Sequence, residues 1–308
     1  MQATVYKSTG SWYILKASDG AFINARIKGK FKIDGRTSSN PIAVGDIVNY
    51  DIENDVEQTG IIHTIQPRNN YINRQSPANK HSHHIIASNL TQCLLFATLR
   101  DPKTSLGFID RFLITAEAYR IPAIIVYNKA DVYDETLLEY YKYIKNIYTK
   151  IGYQVQLVSL VTQQGLAQLQ ATLTNQVTLL SGHSGVGKST FINYLYPQLN
   201  ITTQEVSDWS GKGLHTTTFA QMYDLPQGGA IIDTPGIREL GLVDIKKQEL
   251  GQYFPEIRAA MQHCKFTNCL HYNETVCGVK SALNAGVISE ERYLSYLTLM
   301  EAIVEIKY

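Results

Sequence analysis

No stretch of the chain approaches the roughly 20 consecutive apolar residues that a bilayer crossing requires; even the run Ile121–Tyr127 stops far short. The opening residues, MQATVYKSTGSWYILK, lack a basic flank leading into an apolar stretch and a small-residue cleavage site. We therefore expect a cytoplasmic protein without membrane contact. Cysteine is scarce, at four residues: Cys264, Cys269 and Cys277 fall close together, while Cys93 stands alone in an apolar run. That spacing argues against a secreted disulfide framework and favours a metal for the cluster. Charge is also scarce, at 18% against a usual ~25%, while 44% hydrophobic residues exclude a mainly disordered chain. With 28 basic and 27 acidic residues the net charge is +1, so any contact with nucleic acid must come from a local patch. The 308 residues suffice for about two domains of roughly 150, with room for a smaller third.

From Met1 to Asn73 the text is short and strand-like, in pieces such as TVYKS, SWYILKA, AFINARI, KFKI, DIVNYDI and GIIHTIQP. Close turns and alternation predict a small all-β barrel of the oligonucleotide-binding (OB) type over 1–73. Arg26, Lys28, Lys30, Lys32 and Arg36 crowd one stretch near Trp12, Tyr13, Phe22 and Phe31. This mixture suits RNA, although alternate lysines are commonly a solvated face and aromatics commonly core. QSPANKHSHH (75–84) reads as an exposed linker despite His81, His83 and His84.

The pattern then changes. Apolar runs at Cys93–Thr98, Ile121–Tyr127, Tyr153–Ser159, Val177–Ser181 and Ala230–Asp233 alternate with helical text at Phe108–Arg120, Glu135–Ile151 and Lys188–Leu199. This predicts a parallel α/β sheet covered by helices on both faces, over 85–244. The remainder, 245–308, carries the cysteine cluster and a helix opened by Ser289, with Leu294, Leu297, Met300 and Val304 as its apolar stripe.

The chemistry lies at the ends of the predicted strands. Gly182, His183, Ser184, Gly185, Val186, Gly187, Lys188, Ser189 and Thr190 follow an apolar run and enter a helix, the setting a phosphate-binding loop requires. Gly185 and Gly187 let amides face phosphate oxygens, with the helix dipole behind them. Lys188 would reach the β- and γ-phosphates, Ser189 a magnesium ion and Thr190 the α-phosphate. Such a loop does not choose between ATP and GTP. Asn128, Lys129, Ala130 and Asp131 make that choice at the end of IPAIIVY. The Asp131 carboxylate can accept guanine's N–H and amino protons, a pair adenine does not present. Lys129 can cover the base, and Asn128 can tie this turn to the phosphate loop. Ser159, opening a loop that ends at Gly165, can support guanine from its far side.

Asp233-Thr-Pro-Gly236 ends another strand, where Asp233 would hold magnesium through water and the Gly236 amide would sense the γ-phosphate. Between the two phosphate motifs lies GKGLHTTTF; Thr217 is chosen for the magnesium and γ-phosphate contact, with Thr216 and Thr218 as alternatives. The position after the DTPG motif, where many GTPases place a water-orienting glutamine, is Ile237, which can neither donate nor accept. Slow intrinsic hydrolysis is the expectation, with His215 the nearest replacement. In the tail, Cys264, Cys269, His271 and Cys277 offer three thiolates and one imidazole, a closed set suited to structural zinc. His263, adjacent to Cys264, is the weaker choice of imidazole.

The order of the motifs is unusual. The base-reading turn and Ser159 precede the phosphate loop, the threonine segment and DTPG, whereas ordinary GTPases begin with the phosphate loop. With this circular permutation, a barrel in front and a cysteine cluster behind, the chain resembles the ribosome small-subunit-dependent GTPase A (RsgA or YjeQ) family over essentially its whole length. The resemblance implies a GTP hydrolase, with GTP and GDP as substrate and product, magnesium as cofactor and one structural zinc. It implies a monomer that meets the small ribosomal subunit and its rRNA late in maturation and is stimulated by it. It carries base reading to Asn128, Lys129 and Asp131, phosphate binding to Gly182–Thr190, the magnesium aspartate to Asp233, the switch threonine to Thr217, zinc to the Cys/His set, and marks His215 as a candidate water-positioner. Catalytic roles are thus expected of His215, Lys188 and Thr217. One departure is Leu214, where the family usually has a polar or basic residue before the histidine.

Overall fold

Alternating residues at the N-terminus close into a ring. In the computed structural model, which describes residues 1–27, 41–54, 59–75, 83–197, 220–234 and 245–303, strands β1 (Gln2–Ser8), β2 (Tyr13–Ala17), β3 (Phe22–Ile27), β4 (Ile47–Asn54) and β5 (Thr59–Ile65) run in the order β1-β2-β3-β5-β4. Strand β4 pairs back onto β1 and completes the barrel. Val5, Tyr13, Leu15, Ile23, Ala25, Val48, Tyr50 and Ile62 fill it. Of the aromatics near the basic stretch, Tyr13 is core, whereas Trp12 and Phe22 lie on the surface. Arg26 pairs with Glu53 at 2.5 Å. Lys28, Lys30, Phe31, Lys32 and Arg36 lie outside the described residues.

The expected linker is partly a hairpin. Strands β6 (Tyr71–Gln75) and β7 (His83–Ser88) pair antiparallel, with His84 opposite Arg74 and His83 opposite Gln75, while 76–82 lie outside the described residues. The limits drawn from sequence at 73 and 85 thus fall on the two strands of one hairpin. Buried Asp46 keys the barrel to it. Its carboxylate accepts from Arg68 Nε and Nη2, both at 2.6 Å, from Ser88 Oγ at 2.6 Å and from the Ala43 amide at 2.8 Å, the full set of partners that a buried charge needs.

The central layer comprises β8 (Gln92–Ala97), α1 (Leu106–Ala118), β9 (Ala123–Tyr127), α2 (Glu135–Lys150), β10 (Gln154–Leu157), α3 (Leu166–Ala171), β11 (Val177–Ser181), α4 (Lys188–Leu195), β12 (Gln221–Asp224) and β13 (Ala230–Asp233). Its strands lie in the order β10-β9-β8-β11-β13-β12, parallel except for β12. Although β8 is buried throughout, the pleat sorts its apolar side chains. Cys93, Leu95 and Ala97 face α1 and α2, while Leu94 and Phe96 join Leu166, Leu169, Phe191 and Ile192 of α3 and α4. From β8 the chain moves outward through β9 to β10, then returns to β11 on the other side of β8. That reversal opens a crevice at the strands' carboxyl ends, where open α/β sheets bind ligands.

The tail supplies α5 (Lys247–Leu250), α6 (Pro255–Met261), α7 (Gly278–Asn284) and α8 (Glu290–Ala302), with Ser289 Oγ capping α8 through the Arg292 amide. The stripe read from sequence holds in part: Met300 is buried and Leu297 packs against the tail core, whereas Leu294 is 60% exposed and Val304 lies outside the described residues; the buried face is Arg292, Ser295, Tyr296, Leu299 and Met300. The reason is an ion cluster. Arg292 Nη1 lies 2.6 Å from Asp110 Oδ1 of α1 and its Nε 2.7 Å from Glu256 Oε1 of α6, and its guanidinium carbon stands 4.5 Å from the ring centre of Phe254 and 5.7 Å from that of Tyr148. Ile114 of α1 belongs to the core of the tail, so tail and sheet share buried residues.

Barrel and sheet also meet, through the pair Lys7 and Gln221 of β1 and β12. Beside it, Asp224 at the end of β12 accepts from the Tyr6 hydroxyl and from Lys16 Nζ, each at 2.5 Å. No helix among the described residues is long and apolar enough to cross a membrane.

Candidate nucleotide-binding and metal sites

The turn after β11 and the turn after β9 converge on the crevice. Gly182, Gly185 and Gly187 all take positive φ, and Gly187 stands at the N-cap of α4. A Cβ on Gly187 would lie 2.2 Å from Asn128 Nδ2, and one on Gly182 2.3 Å from the Phe96 carbonyl oxygen. Only glycine lets the loop approach so closely. Lys188 Nζ folds back to donate to the carbonyls of Gly182 and His183 at 2.6 and 2.7 Å. Burial pulls its pKa down to about 8, opposed by the charge of Asp233. Asp233, at the end of β13, is pushed up by burial and pulled back by Lys188. Next to these groups, the buried hydroxyls of Ser181 and Thr234 have no partner among the described residues. Buried polar atoms without partners at a strand-end crevice suit a bound polar ligand and its water, and together with Ser189 and Asp233 they are oxygen donors of the kind magnesium takes.

Asn128 joins the two turns. Its Nδ2 donates to the Val186 carbonyl at 2.9 Å, inside the phosphate loop, and its Oδ1 accepts from the Leu160 amide at 3.3 Å. Lys129 adopts the left-handed conformation at φ 69°, and its Nζ donates to the Asp101 carbonyl. Ser159 Oγ donates to Asp131 Oδ1 at 2.5 Å and accepts from the Thr162 amide at 3.0 Å, which fixes the carboxylate's orientation. Asn128, Lys129, Asp131, Ser159, Gly182–Thr190 and Asp233 are therefore brought to one end of the sheet. His215, Thr216, Thr217, Thr218, Gly236 and Ile237 lie outside the described residues. Sequence reasoning passed over Phe108, whose ring lies 3.8 Å from that of His183, because nothing local marks a helix residue as the neighbour of a loop far along the chain.

In the tail, one ligand atom each from Cys264, Cys269, His271 and Cys277 lies within 4.8 Å of every other. Cys264 Sγ and Cys277 Sγ are each 3.5 Å from His271 Nδ1 and 3.9 Å from one another. Ligands about 2.3 Å from a tetrahedral zinc stand roughly 3.8 Å apart, so the donor set and its spacing fit that ion. Burial lowers the pKa of His271, favouring the neutral imidazole that coordinates metals. His271 is left-handed at φ 59°. Glu274 holds the turn around it, accepting from the amides of Leu270 and Tyr272 at 2.7 and 2.9 Å, while the hydroxyl of Tyr293 donates to the His271 carbonyl at 2.6 Å.

A glycine loop of the phosphate-binding pattern tied through Asn128 to an NKAD turn that the chain encodes before it is the arrangement of a circularly permuted GTPase. Comparison with known proteins narrows the class. Residues 2–62 match the RsgA N-terminal domain and residues 65–243 the RsgA GTPase. The chain is 50% identical to the small ribosomal subunit biogenesis GTPase RsgA of Flavobacterium psychrophilum, over 98% of this chain and 93% of that protein. It is 47% identical to the protein of the same name from Bacteroides fragilis, over 100% and 99%. The crystal structure of YjeQ from Thermotoga maritima superposes with a TM-score of 0.79 at 30% identity, covering 99% of each chain. YloQ, described as a circularly permuted GTPase, gives 0.75 at 29%, covering 100% of this chain and 96% of that one. The chain belongs to the RsgA GTPase family.

Proposed function

We propose that this GTPase binds the small ribosomal subunit in the cytoplasm as a monomer, acts late in the subunit's maturation, and hydrolyses GTP to GDP faster when docked on it. The observation that carries this reading is likeness over nearly the full length, barrel and sheet together, to proteins named for small-subunit biogenesis. Asp131, oriented by Ser159, reads guanine, and Lys129 covers it. Asn128 holds base and phosphate loops in register. The amides of Gly182–Thr190 cradle the phosphates, and Lys188 neutralises charge that develops between the β- and γ-phosphates during transfer. Ser189, Thr217 and Asp233 would hold magnesium, which supplies further charge neutralisation, and the Gly236 amide would sense the γ-phosphate. With Ile237 unable to orient water, His215 takes that role. Cys264, Cys269, His271 and Cys277 hold a structural zinc, and the barrel's basic stretch meets rRNA.

Co-sedimentation with small subunits in GTP, GDP and a non-hydrolysable analogue tests the docking. Binding that tracks the triphosphate supports the reading; binding indifferent to nucleotide points to an RNA-binding module that holds GTP as a structural ligand. His215→Ala should lower the stimulated rate more than it lowers GTP affinity, because positioning water matters in the transition state.

A further inference from the structure

Tyr133 was not among the residues picked out by any motif, and it is buried. Its hydroxyl is used in both directions. It accepts the Leu99 amide proton at 2.9 Å and donates to the Asn128 carbonyl at 2.5 Å. The Asn128 amide is in turn bound to the Ala97 carbonyl at 2.9 Å, and the Ala130 amide to the Val158 carbonyl at 3.0 Å. The peptide between Asn128 and Lys129 is thus gripped through its carbonyl at the point where the chain enters the left-handed conformation of Lys129. A non-glycine residue holds that conformation only where its surroundings over-determine it. Leu99 belongs to the segment after β8 whose Asp101 carbonyl takes Lys129 Nζ, so one phenol oxygen bridges the two chain segments that bracket Lys129. Two residues on from Lys129 comes Asp131.

We infer that Tyr133 is a positioning residue for guanine recognition: its hydroxyl clasps the Asn128 carbonyl to the Leu99 amide and so sets where Lys129 and Asp131 meet the base. Burial lifts its pKa to about 12, so the hydroxyl keeps its donor proton throughout the physiological range. The inference rests on the proposed role of Asp131 as the guanine reader.

The test measures GDP and inosine diphosphate binding by fluorescence competition in the full chain, for wild type, Tyr133→Phe, Asp131→Ala and the double variant. Phenylalanine keeps the packed ring and removes one oxygen, leaving two backbone groups without their partner. GDP affinity should fall about tenfold. The preference for GDP over inosine diphosphate, which lacks the 2-amino group, should narrow by at least about threefold, because a displaced carboxylate loses the amino contact. In the Asp131→Ala background the same change should cost about threefold or less in GDP affinity, since only the Lys129 contact is left to position. GDP affinity in Tyr133→Phe within about twofold of wild type would overturn the inference. So would equal loss for both nucleotides with additivity in the double variant, and so would a Tyr133→Phe chain that fails to fold, since the oxygen would then serve the core. Unchanged GDP binding by Asp131→Ala would instead remove the base-reading role itself, a failure visible without Tyr133.

Discussion

Replacing Arg292 by methionine would leave Asp110 and Glu256 buried without their cation. In the native chain one guanidinium serves both carboxylates, while Tyr148 donates to Asp110 Oδ1 at 2.7 Å. Breaking a buried pair from one side costs about 3–5 kcal/mol. An independent bound agrees. The cheapest relief is to keep a proton on one carboxyl; for an acid that ordinarily ionises near pH 4, doing so at pH 7 costs about 4 kcal/mol, at about 1.4 kcal/mol per unit. The folded variant would hold a proton that is lost when the cluster opens, so opening is favoured as pH rises, and the deficit should shrink by about 1.4 kcal/mol per unit on going from pH 7 towards 5. Hydrogen exchange of the amides in Glu290–Ala302, compared between variant and wild type at pH 5.5 and 7.5, reads the local opening free energy without assuming that the whole chain unfolds in two states. A deficit below about 1 kcal/mol, or one that does not change with pH, would refute the claim that this cluster holds the last helix to the sheet.

Further predictions concern the sites. Gly187→Ala would drive a methyl to within 2.2 Å of Asn128 Nδ2, severing the link between base turn and phosphate loop; GDP affinity should fall by about 2–5 kcal/mol in equilibrium titration, and a change of less than threefold would contradict the tie. Asp131→Asn should exchange preference from guanosine to xanthosine nucleotides, with GTP weakened by about 2–5 kcal/mol; retained GTP binding would take Asp131 out of the site. Metal analysis should find one zinc per chain, and Cys269→Ala should lose the metal and the ordered tail together. A metal-free chain with an intact tail would dismiss the zinc.

What could be read from the sequence was local in the chain. The phosphate loop, the NKAD turn and the Cys/His set each declare their chemistry within a few residues, and β11 and β13 fall where apolar runs end on polar motif residues. The buried face of the last helix could be read that way only in part, at Leu297 and Met300. Its buried face is set by an arginine whose partners lie 36 and 182 residues away, so a stripe counted from apolar residues alone turns Leu294 inward. The hairpin of β6 and β7 hid for a related reason: histidines beside a polar linker carry no strand signal, and pairing with residues 71–75 supplies the missing order. Tyr133, Phe108 and the seam at Asp224 likewise depend on contacts between distant segments. Legibility stopped where function depends on what a residue meets rather than what it is.

Under the proposed function the small subunit activates GTP hydrolysis by this enzyme. Single-turnover GTP hydrolysis, measured alone and with equal concentrations of purified small or large ribosomal subunits at fixed salt, tests it most directly. The account predicts slow turnover alone, clear acceleration with small subunits, much less with large ones, and loss of the acceleration as salt rises. Equal acceleration by large subunits, or none by small ones, would contradict it.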